Sequence, residues 1–121
     1  MKGGLKVEHI YCVADAGLII NPNLAEQNIE CGLIFGLSNV MYEQITLEKG
    51  GPTQKNFGDY RLLRMSEAPE TTVEVISVGD EPGSIGEIGV FPVGAAVANA
   101  IYRATGKRVR TQPFANSVTF V

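Results

Sequence analysis

At 121 residues, with 45% hydrophobic residues, 14 glycines and no tryptophan, the chain has the length and composition of one glycine-rich globular domain and not of a disordered or fibrous protein. A net charge of −3 with interspersed acids and bases excludes a nucleic-acid surface. The nearest basic cluster, Arg103, Lys107, Arg108 and Arg110, falls at the end of a predicted helix, where it complements the helix dipole.

Leu5 to Val13 alternates apolar with polar residues and then becomes almost wholly apolar, which predicts a strand whose far half is buried on both faces. His9, the only histidine, lies on the polar phase with no second metal ligand spaced to join it and reads as a surface residue. Asp15-Ala16-Gly17 ends this strand. Asn21-Pro22 then opens a helix, with Asn21 as the N-cap and Pro22 at the first helical position. The helix is expected to reach about Glu43, with Leu24, Leu33, Leu37, Val40 and Met41 on its inner face. Gly32 and Gly36 share one side of it. Each costs about 1 kcal/mol relative to alanine in a helix, so the pair predicts a close approach, by tight packing on the sheet or by another backbone or ligand. Gln27 and Asn28, near the polar start of the helix, can bridge donors and acceptors of a heterocycle, as solvent can.

Gln44 to Glu48 alternates, Lys49-Gly50-Gly51-Pro52 interrupts, and the segment up to Tyr60 reads as a loop or weak strand. Thr71 to Val78 is a stronger strand entered through Pro69. A second helix is expected from about Val90 to about Thr105, with Pro92 in its first turn, Gly106 as C-cap and Val93, Val97, Ala100, Ile101 and Ala104 at helical spacing. This inventory predicts an α+β fold, a two-layer α/β sandwich in which two main helices cover a mixed sheet, as a single domain over 1–121.

Between the second strand and the second helix lies Asp80-Glu81-Pro82-Gly83-Ser84-Ile85-Gly86-Glu87-Ile88-Gly89. Its three glycines allow the backbone to approach a bulky ligand, and Glu87 reads as a buried acid beside them. A solvated strand-to-helix turn is the plain alternative. Cys12 and Cys31 belong to no metal-ligand spacing and read as small buried hydrophobes, which leaves the chain without zinc or iron–sulfur ligands. The start Met1-Lys2-Gly3-Gly4 lacks the apolar run of a signal peptide, and no apolar stretch is long enough for a bilayer span. A cytoplasmic, reducing location is the default expectation, or a periplasmic one if a partner carries an export signal. The strand begins so early that the tail of something larger stands beside a natural gene start.

Three stretches in order carry a resemblance: Val13-Ala14-Asp15-Ala16-Gly17 leading to Asn21-Pro22; Ile29-Glu30-Cys31-Gly32-Leu33-Ile34-Phe35-Gly36-Leu37; and Gly83-Ser84-Ile85-Gly86-Glu87 through Ala98-Asn99-Ala100-Ile101 to Ala104-Thr105-Gly106-Lys107-Arg108. Together they resemble the C-terminal part of the molybdopterin-binding subunit of the xanthine dehydrogenase/aldehyde oxidase family, of the isoquinoline 1-oxidoreductase β-subunit type. The resemblance implies a hydroxylase of aldehydes or N-heterocycles using molybdopterin, in bacteria often as the molybdenum cytosine dinucleotide. It implies that Glu87 takes a proton from a molybdenum-bound hydroxyl, that Ser84, Ile85 and Gly86 line the cofactor, and that Asn28, with Gln27 beside it, stands where the family usually has a glutamine. It also implies partners: the remaining molybdopterin-binding domains and an iron–sulfur or cytochrome electron-transfer subunit, since a chain of this length supplies Glu87 without enclosing the pterin. The contrasting reading is a non-catalytic remnant or interaction module that homo-oligomerises; a small unrelated enzyme using Glu87 with Asp80 or Glu81 lacks a partnered nucleophile.

Overall fold

The computed structural model describes residues 3–121. Strand β1, His9–Asp15, pairs in parallel with β4, Glu70–Ile76, from His9 opposite Glu70 to Asp15 opposite Ile76. Parallel neighbours need a long crossover. Helix α1, Pro22–Met41, is the longest element of it, and helix α2, Phe91–Thr105, follows β4. Between α1 and β4 a small hairpin pairs β2, Leu47–Glu48, with β3, Gly51–Pro52. The α+β class is as expected: two helices over a small sheet, with parallel and antiparallel pairings held in separate two-stranded units. Lys49-Gly50, expected as a break, is the hairpin tip, where both residues take positive φ (52° and 83°) as a two-residue reversal requires.

Local chemistry sets the helix ends. Asn21 Oδ1 accepts from the Leu24 N–H at 3.1 Å and Pro22 occupies the first turn. Helix α1 stops at Met41, two residues before its expected end, with Tyr42 as the cap. Gly106 closes α2 at φ 73°, its N–H donating to the Tyr102 carbonyl at 2.8 Å. The core joins Ile29, Leu33 and Leu37 of α1 to Val93, Val97 and Ile101 of α2, closed by Val109 and Phe114 from the C-terminal segment. Burying each such side chain is worth roughly 1.5–3 kcal/mol. Leu24 is not among them. It lies 59% exposed on the first turn, and Ala25 and Ile29 take the inner face there.

The sheet departs from expectation on one face. Ile10, Cys12 and Ala14 of β1 and Val73 and Val75 of β4 pack on the core, but Tyr11 and Val13 are 77% and 63% exposed. The far half of β1 is therefore covered on one side only, because both helices lie on the same face. His9 is partly covered, its Nε2 within 2.8 Å of the Thr72 hydroxyl.

A polar cluster fixes the segment after α1. Glu67 accepts from the Tyr42 hydroxyl at 3.1 Å, from the Arg64 N–H at 2.7 Å and from the Arg61 guanidinium, which also lies over the Tyr42 ring. Burial pushes the Glu67 carboxyl up, but the Arg61, Arg64 and Tyr42 donors together hold it below the ordinary carboxylate value of 4.5. A folded-state value below the unfolded one adds stability above the unfolded value, lost as pH falls through the folded value. Glu67→Gln is thus expected to cost about 1–2 kcal/mol at pH 7, and the gap should close as pH drops below about 4.5, measured by urea unfolding across that range.

Candidate functional site

The stretch 80–89 is held at both ends by main-chain contacts. After β1, the Gly17 N–H donates to Asp15 Oδ1 at 3.0 Å and Gly17 takes φ 71°. From there the Leu18 N–H donates to the Glu81 carbonyl at 3.0 Å, and the Gly83 N–H donates to the Ala16 carbonyl at 2.7 Å. A methyl group at Gly17 would collide with the Glu81 oxygen and one at Gly83 would stand 2.8 Å from the Ala16 oxygen, so neither contact admits a side chain. The Ser77 hydroxyl donates to the Gly17 carbonyl at 2.9 Å and accepts from the Ile19 N–H at 3.2 Å. The loop's first half is thereby tied to the end of β1.

Its second half is tied to α1. Asn28 Nδ2 donates to the Ile85 carbonyl at 2.7 Å. Ile85 and Ile88 turn onto the core, while Gly86 and Glu87 between them are exposed. The Val90 N–H donates to the Glu87 carbonyl at 2.9 Å, closing a turn that leads into α2. Beside it Gly89 and Val90 press against the helix: a Cβ on Gly89 would lie 2.6 Å from the Ile29 oxygen, and one on Gly36 would lie 2.7 Å from the Val90 oxygen. The close approach expected at Gly32 and Gly36 is therefore to the backbone of the 86–90 turn and not to the sheet.

Helix and loop enclose a shallow cavity of about 360 Å³. Gly86 and Val90 form its loop side, and Asn28, Cys31, Gly32 and Phe35 its helix side, with Asn39 and Glu43 at the far end. A Cβ on Gly86 would meet no atom within 4 Å, so its main chain stands open. Of the residues expected to form a site, Asn28 and Gly86 line this cavity and Ile85 meets Asn28 through its carbonyl. Glu87 follows Gly86 at the exposed edge. Ser84 and Gln27 do not line the cavity: Ser84 is exposed, and Gln27 Nε2 donates to Asn23 Oδ1 at 3.3 Å on the helix surface.

Two expectations are corrected here. Glu87 is not buried: its side chain is exposed, and among the described residues none covers it. Cys31 is also exposed, at the cavity, and only Cys12 is partly covered, with burial pushing its thiol up. Sequence reasoning missed Phe35, Asn39 and Glu43. Their spacing from Asn28 and Gly32 follows one helical stripe, which was the available signal. Glu43 also accepts from the Tyr60 hydroxyl at 2.8 Å, and this bond pushes the Tyr60 hydroxyl up. Among the described residues no three His, Cys, Asp or Glu side chains converge as a metal-ligand set. Among them, too, no helix is long and apolar enough to cross a membrane.

The order of these parts, strand end, glycine-bearing helix and Gly-Glu turn, can be set beside known proteins. Residues 1–69 match the family described as the molybdopterin cofactor-binding domain. The chain belongs to that family. It is 33% identical over 109 residues to the isoquinoline 1-oxidoreductase β-subunit of Brevundimonas diminuta, a match covering 90% of this chain and 14% of the relative. It is 34% identical over 107 residues to the large subunit of nicotine 6-hydroxylase of Paenarthrobacter nicotinovorans, covering 84% of this chain and 13% of that one. Among solved structures, quinoline 2-oxidoreductase from Pseudomonas putida 86 superposes with a TM-score of 0.80 at 20% identity, over 90% of this chain and 15% of that one. The last likeness shows the fold. The resemblance to the molybdopterin-binding subunits of the xanthine dehydrogenase/aldehyde oxidase family thus holds over most of the molybdopterin-domain chain, which spans about a seventh of these relatives' length.

Proposed function

We propose that this chain forms one edge of the active site of a molybdenum hydroxylase acting on aldehydes or N-heterocycles, and that it works only with a longer polypeptide that supplies the rest of the site. The observation that carries this reading is the meeting of Gly86 with Asn28 at one cavity, with Glu87 next in the chain at its exposed edge. The residues present fit a large polar cofactor. The main chain at Gly86 is open where a Cβ would stand, and a helical amide lies beside it.

When bound, the molybdenum cofactor supplies the two-electron oxidation of the substrate. This chain's share is positional and acid–base. Gly86 and the adjoining Ser84-Ile85 backbone border the cofactor, here taken as the cytosine dinucleotide form. Asn28 fixes the loop through the Ile85 carbonyl. Glu87 accepts, at a carboxylate oxygen, the proton released as the substrate carbon is hydroxylated. Electrons leave through an iron–sulfur or cytochrome partner, since the two cysteines of this sequence make no cluster-ligand set.

The test is to recover the tagged chain from its native cell under mild conditions and measure bound molybdenum and the masses of all co-purifying polypeptides. Molybdenum together with a larger polypeptide is the expected result. A metal-free homo-oligomer would overturn the proposal and leave a non-catalytic module.

A further inference from the structure

The two layers of the molecule differ in width. Helices packed side by side stand roughly 8–10 Å apart and span about 20 Å as a pair, whereas two strands spaced about 4.8 Å apart span only about 10 Å. Here α1 lies over β4 and packs on α2, but no Cα of α2 comes within 8 Å of β1 or β4. Helix α2 is therefore set off from the two strands, on the β1 side of α1. Between them runs a groove of about 660 Å³, lined on one side by residues Leu5 to Val13 and on the other by α2. The α2 wall presents small side chains, Ala96, Ala100 and Ala104, one turn apart.

Among the described residues, the edge of β1 on this side is unpaired along most of its length. The Glu8 carbonyl accepts from the Glu70 N–H at 3.1 Å, so residues of even number point their main-chain groups at β4. By alternation, Val7, His9, Tyr11 and Val13 point theirs the other way, as Leu5 does. At Leu5 that outward edge is already in use. The Leu5 N–H donates to the Thr119 carbonyl at 2.7 Å and the Val121 N–H donates to the Leu5 carbonyl at 2.9 Å, in parallel register with Phe120 opposite Leu5. Strand pairing on this edge is thus established at one end, and Phe120 closes the same end of the groove.

We propose that the free edge of β1 is a strand-docking site, filled by an extended segment of the longer polypeptide, which pairs with the main chain at Val7, His9, Tyr11 and Val13 and packs apolar side chains under Ala96 and Ala100. This rests on the reading that a longer polypeptide completes the chain. Main-chain pairing gives the affinity, and the shallow alanine wall selects alternate apolar side chains of moderate size. The relatives supply the occupant's source, since the matched segment is only 14% of the isoquinoline 1-oxidoreductase β-subunit. A second copy fits less well. Antiparallel pairing of two β1 edges would bring two α2 helices into the same layer above the junction.

The experiment compares hydrogen exchange in the isolated chain with that in the complex recovered from native cells, and adds the Ala100→Phe variant. The amides of Val7, His9, Tyr11 and Val13 are expected to slow at least tenfold on assembly, while those of Ile10, Cys12 and Ala14, already facing β4, serve as internal reference. Ala100→Phe fills the groove from an exposed helix position and is expected to reduce recovery of the larger polypeptide at least tenfold without moving its own unfolding midpoint. A molybdenum-containing complex whose four amides exchange as fast as in the isolated chain would overturn the docking site and leave the proposed function standing. Slowing that vanishes on dilution of the isolated chain would make a second copy the occupant and overturn the proposal as stated. Recovery of neither molybdenum nor a larger polypeptide would overturn both readings. Should Ala100→Phe fail to fold, the exchange comparison decides alone.

Discussion

Glu87→Gln in the assembled enzyme is expected to lower kcat by about a hundredfold to ten-thousandfold, the range for loss of a positioned general base, while molybdenum content stays at the parent level. The substitution keeps the shape of the side chain and removes its ability to take a proton. Structural damage should be slight, because Glu87 is exposed and the turn is held by its backbone carbonyl and by Ile85 and Ile88 on either side. If Glu87 only shaped the loop, the amide would serve nearly as well and turnover would persist. Steady-state kinetics with metal analysis on the same preparation separates the cases: full turnover at full molybdenum loading would remove Glu87 from the proton-transfer role.

Gly89→Ala should cost about 3 kcal/mol, the largest loss of stability from adding a single methyl group along the seam between α1 and the loop. The added Cβ would sit 2.6 Å from the Ile29 oxygen and 3.1 Å from the Leu33 nitrogen, both main-chain atoms of a packed helix that cannot rotate away. Two neighbouring substitutions calibrate the claim. Gly36→Ala gains about 1 kcal/mol of helix propensity but meets the Val90 oxygen at 2.7 Å, so a net loss remains. Gly32→Ala meets only the Gly89 main chain, at 3.2 Å and beyond, and propensity roughly offsets the contact. Urea midpoints should therefore fall in the order Gly32→Ala, Gly36→Ala, Gly89→Ala, from near-parental to lowest. Equal midpoints for all three would mean that the seam is loose.

How much of this was legible in the sequence depended on whether the signal was local. Asn21-Pro22 and Gly106 marked helix ends because caps are chemistry within a few residues, and the structure places both as expected. The loop and its glycines were visible as punctuation. Which surface those glycines met was not, since spacing along one helix does not say whether a strand or a turn will press on it. Leu24 shows the limit of periodicity: it has the right phase, but it lies exposed on the first turn, where Ala25 is the buried residue. Glu87 was read as buried from its glycine neighbours. The glycines make close approach feasible, but burial needs a body to approach, and among the described residues none covers that carboxylate. Tyr11 and Val13 mislead in the same way, their apolar character serving a face that this chain leaves open.

The stitches that hold the loop join residues remote in the chain: Asn28 to Ile85 across 57 positions and Ser77 to Gly17 across 60. The sheet beneath them is similarly non-local, His9 meeting Thr72 across 63 positions. Contacts between residues so far apart in the chain slow folding, because loop-closure entropy is lost before they form. The two helices can form early, but the Gly86-Glu87 turn acquires its place only once β4 has reached β1. Appearance of the Asn28 to Ile85 contact during refolding would accordingly mark the arrival of the whole domain, and a chain arrested before β4 would carry every residue of the helix side of the cavity with nothing to complete it.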